Sequence, residues 1–459
     1  MSETKNSISK KNRLGRFLLI LVCILTAGLI ITYSYINTSS FREHVKSLFI
    51  TELENLMGKK IKIDSADTIS FRNLRFSNLE ILEKNGDDTE VFLQAKKLEI
   101  KFALFFPFWQ GKTWQLDIKD IAFTDLSVSF TRNRAGEFDL LKKLGIDFAF
   151  LNENIKIERV SFKNSSLVYH DEIVYHYELD ALTTKAKNVS GYFDFSTWPE
   201  TTFALQGRDD RDDALLSFSG FFFTQKREYS LDFHLRNADL THFKYYLEAA
   251  EQLNVSRGKF DLDLNLSISP ESVNNELDWQ GKAVFYEGDA QPFFLNEIPF
   301  RKINGEVNFI KPEITLSGLN GLYEERPFQL EGLLLTQPEL YFDLNITTGP
   351  VNAALLKDDL SLFMGEYKDF SIQGEVDLSV NVQGFPGAFD IQGTVTTPEM
   401  MVENLTLPNI TAHFLLKQEE LIINSLKSES SEGSVSVAGK LDWTGDSPFY
   451  HFEIETSRL

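Results

Sequence analysis

Leu216-Ser-Phe-Ser-Gly220-Phe-Phe-Phe-Thr224, followed by Leu231-Asp-Phe-His-Leu235, is the stretch of sequence that decides the fold. It joins a glycine-interrupted strand to a second strand in which apolar and polar residues alternate. The pattern returns about every 110 residues, at 328–336 with 342–346 and at 435–444 with 452–454. A repeated β unit is typical of an elongated, stackable architecture and not of a compact enzyme.

Alternation with period two continues along most of the chain after residue 60, which predicts a sheet with one dry face and one wet face. Asn304-Gly305 and the clusters at 84–88, 207–213 and 384–387 predict turns between strands. No helical pattern alternates with these strands, so antiparallel pairing is favoured over a doubly wound parallel sheet. The apolar members of the alternation, which we expect to line one face, are Leu98, Ile100, Phe102, Leu126, Val128, Phe130, Leu231, Phe233, Leu235, Phe260, Leu262, Leu264, Leu266, Phe342, Leu344, Val376, Leu378, Val380, Val435 and Val437.

Composition narrows the classes of function. The net charge of -21 argues against nucleic acid as a partner, because phosphates need a basic surface. The single cysteine, Cys23, excludes a disulfide framework and a cysteine-based metal site. At 459 residues the chain is too long for one ordinary core, so several domains or an open-ended repeat are expected.

Residues 17–36 form an uncharged apolar segment, long enough to cross a hydrocarbon core of roughly 30 Å as a helix. Five basic residues precede it: Lys5, Lys10, Lys11, Arg13 and Arg16. Positive charge on the short N-terminal side predicts that residues 1–16 are cytoplasmic and that the chain after residue 36 lies across the membrane. A cleaved signal peptide is the alternative interpretation.

Residues 37–60 predict an amphipathic helix that begins with a capping box, Ser40 to Glu43, and ends at Gly58. The helix covers the end of the sheet, lies at the membrane surface, or simply packs on the first strands; each of these buries the same face. Its apolar face is Phe41, Val45, Leu48, Phe49, Leu53, Leu56 and Met57. Further short helices are predicted at 240–253, 350–356 and 360–364. Each follows the second strand of a repeat, and none follows the third copy before Leu459, so we expect an N-terminal part of a longer product or a short member of its class.

The chain resembles the AsmA/TamB-like family of bacterial envelope proteins along nearly its whole length. The order of individually degenerate segments carries the resemblance. These segments are the N-terminal apolar span, Gly58-Lys-Lys-Ile-Lys-Ile63, and residues 98–104, 114–123, 128–132, 136–140, 374–380, 393–395, 407–410, 421–424 and 433–439. The chain is shorter than the well-known bridge-forming members of the family.

The resemblance implies a curled, taco-like antiparallel sheet with an apolar inner groove of the bridge-like lipid-transfer type. It also implies phospholipid transport between inner and outer membranes, outer-membrane homeostasis, and phospholipids, membrane and an envelope protein as partners. The sequence carries no GxSxG, P-loop or HExxH motif and no nucleophile-base pair, so no enzyme activity is predicted. The domains then follow as cytoplasmic tail 1–16, inner-membrane anchor 17–36, capping helix 37–60, periplasmic β-groove 61–254, repeat unit 255–369 and incomplete second repeat unit 370–459.

The free-energy cost of exposing an acyl tail to water favours a continuous apolar face along which the tail can move. A 16-carbon acyl tail in water costs roughly 12 kcal/mol, at about 0.8 kcal/mol per CH₂, and a continuous apolar face of about 25 strands removes that cost at every step. Two alternatives stay open: a closed sandwich or filled β-solenoid, and a scaffold or assembly factor that binds an outer-membrane protein by strand addition. The sequence predicts no cofactor and no metal; His170, Asp171 and His176, and the aspartates at 209–213, are interpreted as structural or solvated.

Overall fold

Within the described residues the chain is mainly β, as predicted, with 22 strands, an open sheet and few helices. It divides into two compact units: unit 1, Met1–Ile173 with Asp180–Arg208, and unit 2, Val174–Leu179 with Asp209–Leu459. A computed structural model describes residues 26–27, 34–35, 38–69, 72–85, 88–103, 116–135, 155–172, 182–223, 225–226, 228–244, 253–268, 277–292, 300–323, 325–354, 371–417, 420–431, 433–442 and 449–457.

The predicted membrane anchor, residues 17–36, lies outside the described residues except for 26–27 and 34–35. Within the described ranges, none of the helices combines the length and the apolar character that crossing a membrane requires. The anchor therefore stays a prediction from the sequence.

Unit 1 contains helix α1 and the first eight strands. In chain order these are α1 Ser39–Met57, β1 Lys60–Ile69, β2 Asn73–Asn85, β3 Asp88–Phe102, β4 Leu116–Arg132, β5 Ile155–Ile157, β6 Arg159–Asp171, β7 Leu182–Asp194 and β8 Glu200–Asp209. Strands β1 to β4 form an antiparallel meander, and β6 pairs antiparallel with β7.

The prediction of an entirely antiparallel sheet is wrong at β4, which pairs parallel with β5 and β6. Parallel neighbours need a crossover of about a dozen residues or more, and residues 133–154 supply that length. Apolar and polar residues alternate in the same way in parallel and antiparallel strands, so the sequence pattern did not distinguish the two kinds of pairing.

Helix α1 confirms the predicted amphipathic helix, but its N-cap is Thr38 and not Ser40. The Thr38 hydroxyl accepts a hydrogen bond from the Phe41 amide at 3.3 Å, which satisfies one of the free donors of the first turn. At the other end Gly58 adopts a left-handed conformation with φ of 64°, and its amide donates to the Glu54 carbonyl, as predicted for a glycine terminator.

One face of α1 packs on the apolar face of the first strands. The ring of Phe49 stacks on the fully buried Phe76 at 4.6 Å, and Ile50, Leu53 and Met57 join the same core. Leu48, predicted on the packed face, is 51% exposed because it lies one residue around the helix from Phe49. The helix therefore closes this part of the sheet face into an ordinary core.

Unit 2 is a meander of fourteen strands, and each strand pairs antiparallel with the next. The strands are β9 Leu215–Phe223, β10 Glu228–Asp239, β11 Leu253–Ile268, β12 Asp278–Pro292, β13 Phe300–Ile310, β14 Glu313–Tyr323, β15 Arg326–Leu335, β16 Tyr341–Asn352, β17 Ile372–Phe385, β18 Ala388–Val402, β19 Leu405–Lys417, β20 Glu420–Glu429, β21 Ser434–Asp442 and β22 Phe449–Ser457. The three sequence repeats are the hairpins β9–β10, β15–β16 and β21–β22.

The predicted short helices differ from the structure where residues are described. Of 240–253, the residues Leu240–Phe243 form a 3₁₀ turn and β11 already begins at Leu253. Residues 350–352 extend β16, because Val351 pairs with Val376 and is almost fully buried there, whereas Ala353 and Ala354 are helical as predicted. The segment 360–364 lies outside the described residues.

β-bulges recur inside the strands. Asn237, Glu287 and Lys302 adopt left-handed backbones with φ of 57°, 52° and 50°. The amide of each is satisfied by a side chain of the neighbouring strand: Asp261 at 2.7 Å, Asn304 at 3.0 Å and Asp289 at 2.9 Å, respectively. The same left-handed backbone occurs in strands at Asn78, Asp125, Asn164, Asn188 and Asn409. Such bulges bend a strand and increase its twist, which is how sheets acquire curvature.

The packing of α1 can be tested with two neighbouring residues. We expect Phe49→Ala to lower the free energy of unfolding by about 2–3 kcal/mol, because a core aromatic ring is removed, whereas Leu48→Ala changes it by less than about 0.5 kcal/mol. Hydrogen exchange of the β1 and β2 amides measures both variants. Equal effects of the two substitutions would contradict the assignment of the packed face.

Candidate functional site: an apolar sheet face

The pairing register of unit 2 joins apolar residues from strand to strand without interruption. The first such row crosses all fourteen strands, a path of about 60 Å at ~4.8 Å per strand. Its members are Leu216, Leu235, Leu262, Ala283, Val307, Leu316, Gly332, Leu344, Val382, Ile391, Leu416, Leu421, Leu441 and Tyr450. This register places one continuous apolar surface on one face.

Two further rows flank the first. One crosses β9 to β18 through Phe218, Phe233, Leu264, Gly281, Phe309, Ile314, Leu334, Phe342, Gly384 and Phe389. The other crosses β14 to β22 through Leu319, Leu330, Ile346, Val380, Gly393, Phe414, Ile423, Gly439 and Phe452. The apolar surface is therefore several residues wide across the strands as well as continuous along the sheet.

Most side chains of these rows are half-exposed, unlike those under α1 in unit 1. Of the predicted face residues, seven are buried: Leu98, Ile100, Leu126, Val128, Leu235, Phe260 and Val376. The half-buried ones are Phe102, Phe130, Leu231, Phe233, Leu262, Leu264, Leu266, Phe342, Leu344, Leu378, Val380, Val435 and Val437. The residues of unit 1 thus belong mainly to a covered core, whereas those of β9–β22 mainly line an open face.

Two small buried clusters lie on the apolar face of unit 2. One contains Ala214, Leu235, Ala238 and Phe260 beside the 3₁₀ turn, and the other contains Ala353, Val376, Met400 and Ile410. Both lie toward the strand ends that carry the bulges and away from the turn that joins β9 to β10. The face is closed locally at these two places. Between them most side chains of the face are half-exposed, with buried exceptions such as Ala283 and Phe328.

The opposite face of unit 2 is wet and carries cross-strand polar pairs. Asn265 donates to Asp232 at 2.8 Å, Asn381 donates to Asp343 at 2.6 Å, and Thr394 contacts His413 at 2.9 Å. Although burial opposes it, hydrogen bonds from His234 and Arg236 lower the pKa of the Asp263 carboxyl below its ordinary value. The two faces therefore differ in chemistry as the alternation predicts.

Several glycines on the apolar face lie beside an aromatic ring of the next strand. Gly393 pairs with Phe414, and a Cβ at Gly393 would lie 2.6 Å from the ring and 2.6 Å from a methyl group of Val380. Gly281 pairs with Phe309 in the same way. A ring laid over a glycine fills the gap that the missing side chain leaves, so the face is smooth where the alternation is interrupted.

Several residues of the rows were missed by reasoning from alternation alone. Val307, Phe309 and Leu316 lie in strands that the pattern indicated weakly, because bulges at Lys302 and Gly318 shift the parity within each strand. Asn304-Gly305, predicted as a turn, lies inside β13. A search that allows one skipped residue per strand would recover them.

The candidate chemical clusters are engaged in structural contacts. The fully buried Asp171 carboxylate forms an ion pair with Arg132, and His170 contacts Thr183 at 2.9 Å. Burial and a hydrogen bond to Asp171 raise the pKa of Tyr169 to about 12. His176 lies outside the described residues.

Asp209, Asp212 and His242 also come together, each offering a ligand atom within 4.8 Å of the others. Arg211 already pairs with Asp209 at 2.6 Å, and the amides of Ala214 and Asp239 donate to Asp212 at 3.0 and 2.6 Å. These contacts show that the two carboxylates stabilise the end of a hairpin.

No protein-family model matches the chain, and neither a curated protein nor a solved structure is similar to it. The resemblance to the AsmA/TamB-like family stays a prediction. The function is therefore inferred from the structure of the sheet.

The contact between the Phe414 ring and Gly393 can be tested by mutation. We expect Gly393→Ala to destabilise the protein by about 1–3 kcal/mol through overpacking, and to cost less in a Phe414→Ala background because the ring is gone. Urea denaturation of the two single variants and the double variant measures the coupling. Additive effects would contradict the contact.

The difference between covered and open face gives a second test. In a Cys23→Ser background, Leu264→Cys should react with a water-soluble maleimide much faster than Leu98→Cys, since Leu98 is 3% exposed beneath the packed core. Equally slow modification at both positions would mean that a second layer covers the face of unit 2.

Proposed function

We propose that the apolar face of unit 2 shields the acyl chains of phospholipids, and that the chain is an inner-membrane-anchored periplasmic protein contributing to phospholipid transport between inner and outer membranes and to outer-membrane homeostasis. One observation carries the proposal: an open sheet with an apolar row across fourteen consecutive strands, most of it half-exposed. A soluble protein rarely leaves so long an apolar surface uncovered unless something binds it.

The energetics favour an acyl chain as the occupant. Each CH₂ moved from water to an apolar surface gains about 0.8 kcal/mol, so a 16-carbon tail gains roughly 12 kcal/mol from complete cover. Because the rows continue from strand to strand, a tail that leaves one strand meets an equivalent surface on the next. A flexible chain can then move without exposure to water at an intermediate step.

Cover for the tail requires the sheet to curl around it. The bulges at Asn237, Glu287 and Lys302 support a curled, groove-like sheet, since bulges introduce curvature at defined strand positions. The polar pairs on the other face suit the outside of such a groove. The proposed activity is binding and conduction, with no catalytic step and no cofactor.

A second candidate function is that of a scaffold or assembly factor for outer-membrane protein biogenesis, and β22 favours it. Its side chains Phe449, Tyr450, Phe452 and Ile454 are strongly exposed. One side of β22 pairs with β21, and within the described residues no strand pairs with its other side. An unpaired edge of this kind accepts an added strand from another protein.

The lipid proposal is tested with adjacent residues on opposite faces of β17. A photo-crosslinking amino acid at Leu378 should label phospholipid in membranes, whereas the same group at Ser379 should not, since Ser379 points to the wet face. Mass spectrometry of the crosslinked species identifies the product.

A polar variant provides the companion control. Leu378→Asp should lower the recovered lipid while circular dichroism of the sheet is retained. The scaffold function would replace conduction if the crosslinker at position 378 captures no lipid and the same crosslinker placed in β22 captures a strand of another protein.

A further inference from the structure

The two edges of unit 2 differ in their turns. Because consecutive strands run antiparallel, the turns after β9, β11, β13, β15, β17, β19 and β21 all lie on one side of the sheet, which we call the hairpin edge. Six of these seven turns carry or adjoin a large exposed apolar side chain. These side chains are Tyr229, Leu277, Ile310, Leu340, Phe385 and Phe449, with exposures of 41%, 45%, 63%, 43%, 44% and 59%.

The described turns of the opposite edge are mainly polar. The turn before β9 carries Asp210 and Arg211, the turn between β14 and β15 carries Glu325, and the turn between β20 and β21 carries Ser430. At the described turns of this edge, one large apolar side chain is strongly exposed, that of Leu405, with an exposure of 60%. Among the described turns, large exposed apolar side chains are therefore concentrated at the hairpin edge.

At the hairpin edge the apolar character extends to both faces of the sheet. Ile310 follows Phe309, a member of an apolar row, so it points to the other face. Phe385 likewise follows Gly384, and its ring lies 5.3 Å from the ring of Tyr341 on that same outer face. The wet face thus gives way to aromatic and aliphatic side chains next to the turns.

The apolar rows also run toward this edge. Leu216 lies seven residues before the end of β9, whereas Leu441, in the same row, lies one residue before the end of β21. The neighbouring row reaches the edge earlier, at Phe389, the second residue of β18. A chain that follows a row along the sheet therefore arrives at the hairpin edge and its exposed side chains.

A lipid bilayer fits this edge better than a protein partner does. Successive turns are about 10 Å apart, at two strand spacings of ~4.8 Å, so the side chains are separate points and not one contiguous patch. Mixed aromatic and aliphatic side chains on polar turns suit the interface between headgroups and hydrocarbon.

Charge selects the kind of bilayer. The described residues at and beside these turns include Lys226, Lys311, Lys417 and Lys440 as cations, and Glu228, Asp278, Glu313, Glu339, Asp390, Glu420 and Asp442 as anions. The excess of carboxylates favours zwitterionic lipid over anionic lipid.

We infer that the hairpin edge is the side on which unit 2 rests against a zwitterionic phospholipid bilayer, and that acyl chains pass between that bilayer and the apolar face across this edge. The inference rests on the proposed function for the passage of lipid. It adds a lateral route to movement along the sheet.

The test uses the full chain with Cys23→Ser, reconstituted in phosphatidylcholine vesicles brominated in the acyl chains. A fluorophore is attached in turn to Ile310→Cys, Phe385→Cys, Leu405→Cys and Leu344→Cys. We expect several-fold stronger quenching at 310 and 385 than at 405, the matched position on the opposite edge. Position 344, in the middle of the apolar face, should also be quenched.

The outcomes separate the two proposals. Quenching at 344 with no difference between 310 and 405 overturns the lateral route and leaves lipid binding intact. Quenching at 310 without quenching at 344 overturns the passage of acyl chains and the proposed function with it. Disulfide formation between two copies at position 310, without quenching there, assigns the edge to a second copy and overturns the bilayer contact.

A variant provides an independent readout. Ile310→Ser combined with Leu340→Ser and Phe385→Ser should lower lipid crosslinking at Leu378 several-fold, whereas Leu405→Ser should leave it unchanged. Equal crosslinking in both variants overturns the lateral route. Retained circular dichroism excludes a folding defect as the cause of any loss.

Discussion

The cross-strand register is the constraint on which the rest of unit 2 depends. Side chains alternate with a period of two, so a slip of one residue at any pair would move every apolar side chain of that strand to the wet face. The observed register instead joins Leu235 to Leu262, Leu344 to Val382 and Leu416 to Leu421 within one row. Fourteen strands in register make a surface that no single strand could provide.

The same alternation has different outcomes in the two units because of what covers it. In unit 1, Phe49 of α1 stacks on Phe76, and Met57 of α1 belongs to the same core. In unit 2, buried residues form two small clusters and scattered single positions, and rings such as Phe414 lie close to glycines of the neighbouring strand. Alternation therefore specifies which face is apolar, and the covering element decides whether that face is a core or a binding surface.

Reasoning from the sequence predicted the mainly β class, α1 with its Gly58 terminator, the repeated hairpins and the identity of the apolar face. It failed at the N-cap, at the parallel pairing of β4 with β6, and at residues 350–352, where tertiary pairing of Val351 overrides local helix signals. Bulges explain the rest. At Asn237 the parity of the apolar residues changes within β10, so one long strand resembles two short ones.

The edge of the sheet could not be predicted in the same way. Ile310 and Phe385 interrupt the alternation as isolated apolar residues, and only the topology brings them to one side. Their shared position follows from the meander: every second turn returns to the same edge. The local sequence identifies each apolar turn residue, but only the strand order shows that these residues lie on the same edge.

A nitroxide scan of residues 376–383 in β17, with the protein in phosphatidylcholine vesicles, tests the central claim that the face is open and filled by lipid. We expect collision with oxygen, which is lipid-soluble, to peak at 378, 380 and 382. Collision with a water-soluble nickel chelate should peak at 377, 379, 381 and 383, in opposite phase. If the apolar positions exclude both reagents, the face is a closed core and does not bind lipid.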